Sequence, residues 1–161
     1  DLSCFGKAIA NGLPLSVLAG KAEIMSNFDQ VFYSLTNAGE TLSLAAAKAV
    51  LKFFDNVDVP EALGKLGKEL RQGLMTLIEQ YDLDKRMVVR GSNYRFSVGF
   101  IDENNSVYDP TVDLLNWTQL ACSHGILAGP GHFLSYAHNE SVIKDTLQKY
   151  DRIFAEMKPR L

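Results

Sequence analysis

A leucine stripe constrains this chain more than any other feature. Leu63, Leu66, Leu70, Leu74, Leu77, Ile78 and Tyr81 recur at spacings of three and four. That period puts them on one side of an α-helix, and such a helix is stable only when that side is covered. Pro60 suits its first turn, where a missing N–H costs nothing. The cover follows in the sequence. Met87–Arg90 and Arg95–Ile101 read as strands, the second with Phe96, Val98 and Phe100 alternating with Arg95, Ser97 and Gly99, the pattern of a half-buried strand. Gly91-Ser-Asn93 between them is turn chemistry. Val112, Leu115, Leu120 and Cys122 predict a helix from about Thr111 to His124, closed by Gly125 as its cap. Ile126–Ala128 and Phe133–Tyr136 are short strand candidates around Gly129-Pro-Gly131. Asn139 caps a last helix with Val142, Ile143, Leu147, Tyr150, Phe154 and Met157 on its apolar face. Residues 57–161 therefore predict an α+β domain, a small sheet covered by helices.

Residues 1–55 follow another rule. Residues 1–12 read as an approach segment into a glycine-rich loop, punctuated by Gly6, Asn11 and Gly12. Leu15–Ala19 is a short apolar run between Pro14 and Gly20 that suits a buried strand, and 22–28 suits one or two helical turns. A loop over 32–39 leads into an alanine-rich helix over 40–54, with Leu42, Ala45, Ala46, Ala49, Val50 and Phe53 on the stripe expected to pack. One strand and one long helix cannot close a core. This portion is expected to be the end of a larger domain begun upstream, and the absence of an initiator Met at Asp1 fits a fragment.

Composition removes several function classes. Sixteen Lys and Arg against nineteen Asp and Glu give a net charge of -3, so no basic footprint for nucleic acid or an anionic membrane exists. Hydrophobic residues at 47% with 22% charged residues describe a soluble globular chain, which excludes wholesale disorder. No apolar run approaches the roughly 20 residues of a membrane helix. Cys4 and Cys122 lie far apart without metal-ligand spacing, which argues against zinc or a disulfide scaffold and suits reduced thiols in a cytoplasm.

Two segments could carry chemistry. Lys7 sits among apolar and small residues, Phe5-Gly6 before it and Ala8-Ile-Ala10 after it. An amine with poor hydration favours its neutral, nucleophilic form and can attack a carbonyl. The alternative is a lysine whose stem lies along the surface with its charge in water. The second segment is Ser34-Leu-Thr-Asn-Ala-Gly-Glu40 at the start of the alanine-rich helix. A Thr hydroxyl and loop N–H groups there can hold a phosphate, or the segment is an ordinary capped helix start. Glu40 itself favours the helix dipole without any chemistry. His138 reads as a strand-end histidine bonded to backbone, and His132 between Gly131 and Phe133 as a residue at an active-site mouth. Asp102, Glu103 and Asp109 read as solvated loop charges.

Taken together, Phe5-Gly-Lys-Ala-Ile-Ala-Asn-Gly-Leu-Pro-Leu-Ser-Val-Leu-Ala-Gly20 with Glu23-Ile-Met25, and Thr36-Asn-Ala-Gly-Glu-Thr-Leu-Ser-Leu-Ala-Ala46, resemble the lysine and phosphate motifs of class III (subgroup II) aminotransferases. The resemblance implies an α/β, fold-type I transferase dependent on pyridoxal 5'-phosphate. Residues 1–55 would be the end of its large domain and 57–161 its small C-terminal α+β domain. It implies that Lys7 forms the internal aldimine, and that Thr36 binds the cofactor phosphate across the interface of a homodimer. Amino-group donors and acceptors would be small molecules. Phe133-Leu-Ser-Tyr-Ala-His138 resembles the tail of glutamate-1-semialdehyde aminomutase-like members. No Arg lies between Arg95 and Arg152, where relatives acting on omega-amino acids place one, which favours that branch. Asn37-Ala38 departs from the family's usual phosphate-loop pair, which is tolerable where backbone and Thr36 do the binding. The family's pyridine-nitrogen aspartate, ring-stacking aromatic and Gly-Ser phosphate loop would precede Asp1, so residues 1–161 alone are expected to be inactive. A different class of function also fits, a non-catalytic α+β interaction module or degenerate relative.

Overall fold

The structure is a computed structural model that describes residues 1–101, 111–127, 129 and 131–157. The chain divides into two compact units, Asp1–Asp58 and Val59–Leu161.

In the first unit, β1 (Leu2–Phe5) pairs antiparallel with β2 (Val17–Gly20), Leu2 opposite Gly20 and Phe5 opposite Val17. The connection between them contains a 3-10 turn at Lys7–Ile9. Helix α1 (Ala22–Met25) runs into a second 3-10 turn (Ser26–Gln30), and a loop leads to α2 (Thr41–Phe54). Two expectations need correction. Residues 1–12 include a strand, and the strand expected over Leu15–Ala19 begins at Val17 instead. An apolar run this short has no phase of its own; pairing with Cys4 and Phe5 sets where it starts. The buried side of α2 is also not the expected one. Ser43 and Ala47 are buried and Ala46 and Val50 half-buried, whereas Leu42, Ala45, Ala49 and Phe53 are exposed. The Lys7–Ile9 turn packs on α2, and a close backbone approach selects small side chains over large ones. Among the described residues of this unit only Ala10, Ser43 and Ala47 are buried, so it has no large apolar core.

The second unit has one. Helix α3 (Val59–Gln80) precedes β3 (Met87–Gly91) and β4 (Arg95–Phe100); α4 (Thr111–Ser123), β5 (Gly131–Phe133) and α5 (Glu140–Met157) follow. The strands form an antiparallel sheet in the order β3-β4-β5, with Met87 opposite Phe100 and Phe96 opposite His132. Leu70, Leu74 and Ile78 of the leucine stripe meet Phe96, Val98 and Phe100, all buried. Trp117 stacks on Tyr150 and Phe154 at ring separations of 5.1 and 5.6 Å, and such aromatic contacts add stability beyond their burial. On α5, Ile143, Tyr150, Phe154 and Met157 are buried as expected, Ile153 joins them, and Val142 faces out.

Helix ends explain the remaining departures. The Asn139 side chain accepts from the Val142 N–H at 3.1 Å and from the Ser141 hydroxyl at 2.7 Å, the expected cap of α5. Gly125, at φ +77°, closes α4 by donating to the Cys122 carbonyl while Ile126 donates to that of Ala121. Ile126 is thus spent on ending a helix, and neither it nor Leu127 is in a strand. The last strand lies at Gly131–Phe133, not Phe133–Tyr136, because pairing with Arg95–Ser97 sets its register and 135–138 turns away. The turn expected over 102–105, with Asp102, Glu103 and Asp109, lies outside the described residues.

Gly67 makes α3 testable. An Ala in place of a mid-helix Gly ordinarily stabilises by about 1 kcal/mol, but a methyl at Gly67 would land on the carbonyl oxygen of Asn93 in the β3–β4 turn. Gly67→Ala is therefore expected to lose roughly 1–3 kcal/mol in urea unfolding through overpacking. A gain in stability would show that helix and turn do not approach this closely.

Candidate active site

Lys7 lies two residues beyond the end of β1, after Gly6, and takes left-handed backbone at φ +52°, with Asn11 at +45° and Gly12 at +107° completing the bend. A non-glycine residue there costs roughly 1–3 kcal/mol and persists only where its surroundings over-determine it. They do here. The Lys7 carbonyl accepts from the N–H of Ala10 at 3.3 Å and of Asn11 at 3.1 Å, and the turn rests on α2. Lys7 is exposed in this chain, and its sequence neighbours Phe5 and Ala8 do not fold over it.

Lys7 lines an open cavity of about 770 Å³ whose wall includes Leu15–Leu18, Tyr33 and the loop Thr36–Gly39. The two candidate residues, Lys7 and Thr36, therefore share one cavity. Among the described residues lining it, Lys7 is the only charged one. A second cavity of about 490 Å³ shares Lys7, Val17, Leu18 and Tyr33 with it and adds Cys4. Tyr33 thus borders both, held edge-on to Phe28 at 5.6 Å. Sequence reasoning passed over it; an aromatic side chain inside a loop of small polar residues was the available signal.

The Thr36–Gly39 loop is built from two overlapping turns. The Ala38 N–H donates to the Leu35 carbonyl at 3.0 Å and the Glu40 N–H to that of Asn37 at 3.2 Å, with Gly39 at φ +81°. Glu40 is then the N-cap of α2. Its carboxylate accepts from the Leu42 N–H at 2.8 Å, the Ser43 N–H at 2.7 Å and the Ser43 hydroxyl at 2.6 Å. These bonds, the Ser43 hydroxyl first and the Leu42 and Ser43 amides after it, hold the carboxyl below its ordinary value. The folded state therefore binds fewer protons than the unfolded one. The cap's contribution is complete above the ordinary glutamate range and is lost as pH falls through the lowered value. Carbon NMR of the Glu40 carboxyl is expected to show a titration midpoint below that of exposed glutamates, and Ser43→Ala to move it back up. A midpoint at the ordinary value would contradict the cap.

The histidines lie in the second unit. His132, expected at an active-site mouth, is only 9% exposed, stacks on Phe96 at 4.9 Å and shares a 2.6 Å hydrogen bond with the Tyr150 hydroxyl. The β4–β5 pairing draws it into the core, where burial pushes the Tyr150 phenol well above its ordinary value. A cavity of about 360 Å³ in this unit is lined by His132, His138, Thr146 and Tyr150 among apolar residues. His138 accepts the Ser135 N–H at 3.1 Å, bonded to backbone as expected, but in a turn and not at a strand end. His124 pairs with Glu156 at 2.8 Å. Cys4 and Cys122 are free and exposed. Among the described residues no cluster of His, Cys, Asp or Glu could hold a metal, and no helix is long and apolar enough to cross a membrane.

Comparison with known proteins places this arrangement. Residues 1–153 match the family model for class III aminotransferases. The FumI protein of Sphingopyxis sp. MTA144, solved in its pyridoxal-phosphate internal aldimine form, is 25% identical with a TM-score of 0.79, over 98% of this chain and 37% of that one. A transaminase with bound pyridoxal phosphate superposes with a TM-score of 0.82 at 23% identity, over 99% and 39% of the two chains. A β-phenylalanine aminotransferase from Variovorax paradoxus gives 0.79 at 20%, over 99% and 39%. This chain belongs to the class III aminotransferase family. It carries part of the fold-type I transferase fold and spans under two-fifths of the length of these solved structures.

Proposed function

We propose that this chain forms the lysine and phosphate-loop portion of a pyridoxal 5'-phosphate-dependent enzyme that transfers or shifts an amino group. The reading is supported by Lys7 on its left-handed turn and Thr36 on the turn before α2, both lining open space on the first unit. The residues there suit that cofactor. The space exceeds what one pyridine ring and its phosphate need, Thr36 offers a hydroxyl, and no acidic side chain lines the wall among the described residues. When bound, the group supplies an electron sink for the carbon that loses its proton. Lys7 would hold it covalently through Nζ; once displaced by an amino substrate, the same Nζ would carry the proton to and from that carbon. Thr36 and the amides of its loop would hold the phosphate in the partner's site, and the equivalent loop of the partner subunit would fix the ring relative to Lys7.

The whole enzyme is proposed to be a homodimer in which Thr36 serves the partner's site. The first unit leaves Phe5, Val31, Phe32, Leu35, Leu42 and Phe54 exposed, and that apolar surface suits burial by the rest of a large domain and a second copy. Residues 1–55 are read as the end of that domain and 57–161 as the small one. The aminomutase-like branch rests on Ser135-Tyr-Ala-His138 and on the stretch without Arg between Arg95 and Arg152. Product analysis with and without a keto acid separates an internal shift from transamination. The two free thiols suit a reducing, cytoplasmic setting.

Lys7→Ala in the full-length protein is expected to abolish turnover, a loss of several orders of magnitude, and borohydride reduction of the loaded wild type to label Lys7. Retained turnover would remove Lys7 from the chemistry. Co-expressing Lys7→Ala with Thr36→Ala is expected to restore turnover in mixed dimers, because one site then regains both residues. Without restoration, Thr36 serves the site of its own chain.

A further inference from the structure

We infer that Glu40 is the positioning residue of the Thr36–Gly39 loop: it clamps the loop to the start of α2, so that a phosphate ester bound at Thr36 is held by the loop and not by the helix terminus. The inference deepens the proposed function and rests on it. A helix N-terminus ordinarily attracts phosphate through its free N–H groups and its dipole. Here two of those donors are spent. The Glu40 carboxylate takes the N–H groups of Leu42 and Ser43 together with the Ser43 hydroxyl, and Ser43 is fully buried. A second anion at that end would meet a carboxylate and repulsion. Thr36, Asn37, Ala38 and Gly39 line open space that Glu40 does not line.

The clamp has two ends on one residue. Through its side chain Glu40 is fastened to α2. Through its main chain it donates to the Asn37 carbonyl at 3.2 Å and accepts from the Leu44 N–H at 3.2 Å. Gly39 just before it is left-handed, a joint that would swing if the next residue were released. Loop geometry therefore depends on a side chain that never touches the phosphate.

The test compares pyridoxal 5'-phosphate with pyridoxal, which lacks the phosphate, by absorbance titration of the full-length protein. In the wild type the phosphorylated form should bind more tightly; no preference would overturn both the cofactor reading and this inference. Glu40→Ala is expected to cut that preference about tenfold, the scale of a lost charge-assisted hydrogen bond, while pyridoxal affinity stays unchanged. Glu40→Gln should behave alike, because its amide sets donors against donors, and it carries the test if the alanine variant does not fold. Glu40→Asp, a favoured cap, should restore the preference. Faster amide hydrogen exchange over 36–40 in Glu40→Gln, read without any ligand, is the independent sign of a released loop. An unchanged preference in both variants would overturn the positioning role, as would an equal fall in the affinities for both forms.

Discussion

The pairing of β1 with β2 decides where the candidate nucleophile stands. Phe5 opposite Val17 closes a long connection, and that closure forces the chain through left-handed backbone at Lys7 and again at Asn11 and Gly12. The open end of the hairpin carries a Lys21–Asp1 ion pair, but both side chains are well exposed and such pairs contribute little. Main-chain pairing and the seating of the 3-10 turn on α2 hold the lysine instead. Lys7 thus combines a tied backbone with an exposed side chain. Both suit an amine that must bond to a ligand, leave it and carry a proton.

The two units are stabilised on different terms. The second buries an aromatic cluster of Trp117, Tyr150, Phe154 and Phe96 beneath helices and sheet, with His132 bonded inside it. The first buries three small residues and exposes a dozen large ones. Apolar surface on that scale is costly in water and belongs where another surface covers it. The candidate residues Lys7 and Thr36 sit in the unit that most needs such cover.

Legibility in the sequence followed the strength of the pattern. The leucine stripe of α3, the alternation of Phe96, Val98 and Phe100 and the cap at Asn139 were readable, because each is a periodic or stereochemical demand on nearby residues. Where several stripes were equally apolar, as in the alanine run of α2, pattern could not choose the buried side. Short strands were misplaced by one to three residues, or missed as β1 was, since their register belongs to the partner strand. The left-handed Asp82 that ends α3 and sends Leu83 into the core carried no cue, because aspartate adopts that backbone only when its surroundings require it. Lys7 and Thr36 were legible as motifs, but Tyr33 and the triple bond of Glu40 were not. Those are relations between residues brought together by folding.

By itself the order of residues determined the helices, the principal strands and the family, because local periodicity and motif spacing are properties of the chain. Only the tertiary structure decided that Lys7 is exposed, that it lines one cavity with Thr36 and Tyr33, and that His132 is buried against Phe96 and Tyr150. The reason is physical: burial and cavity walls arise from contacts between distant segments, and strand pairing and close helix approach set those contacts after the local pattern has been satisfied.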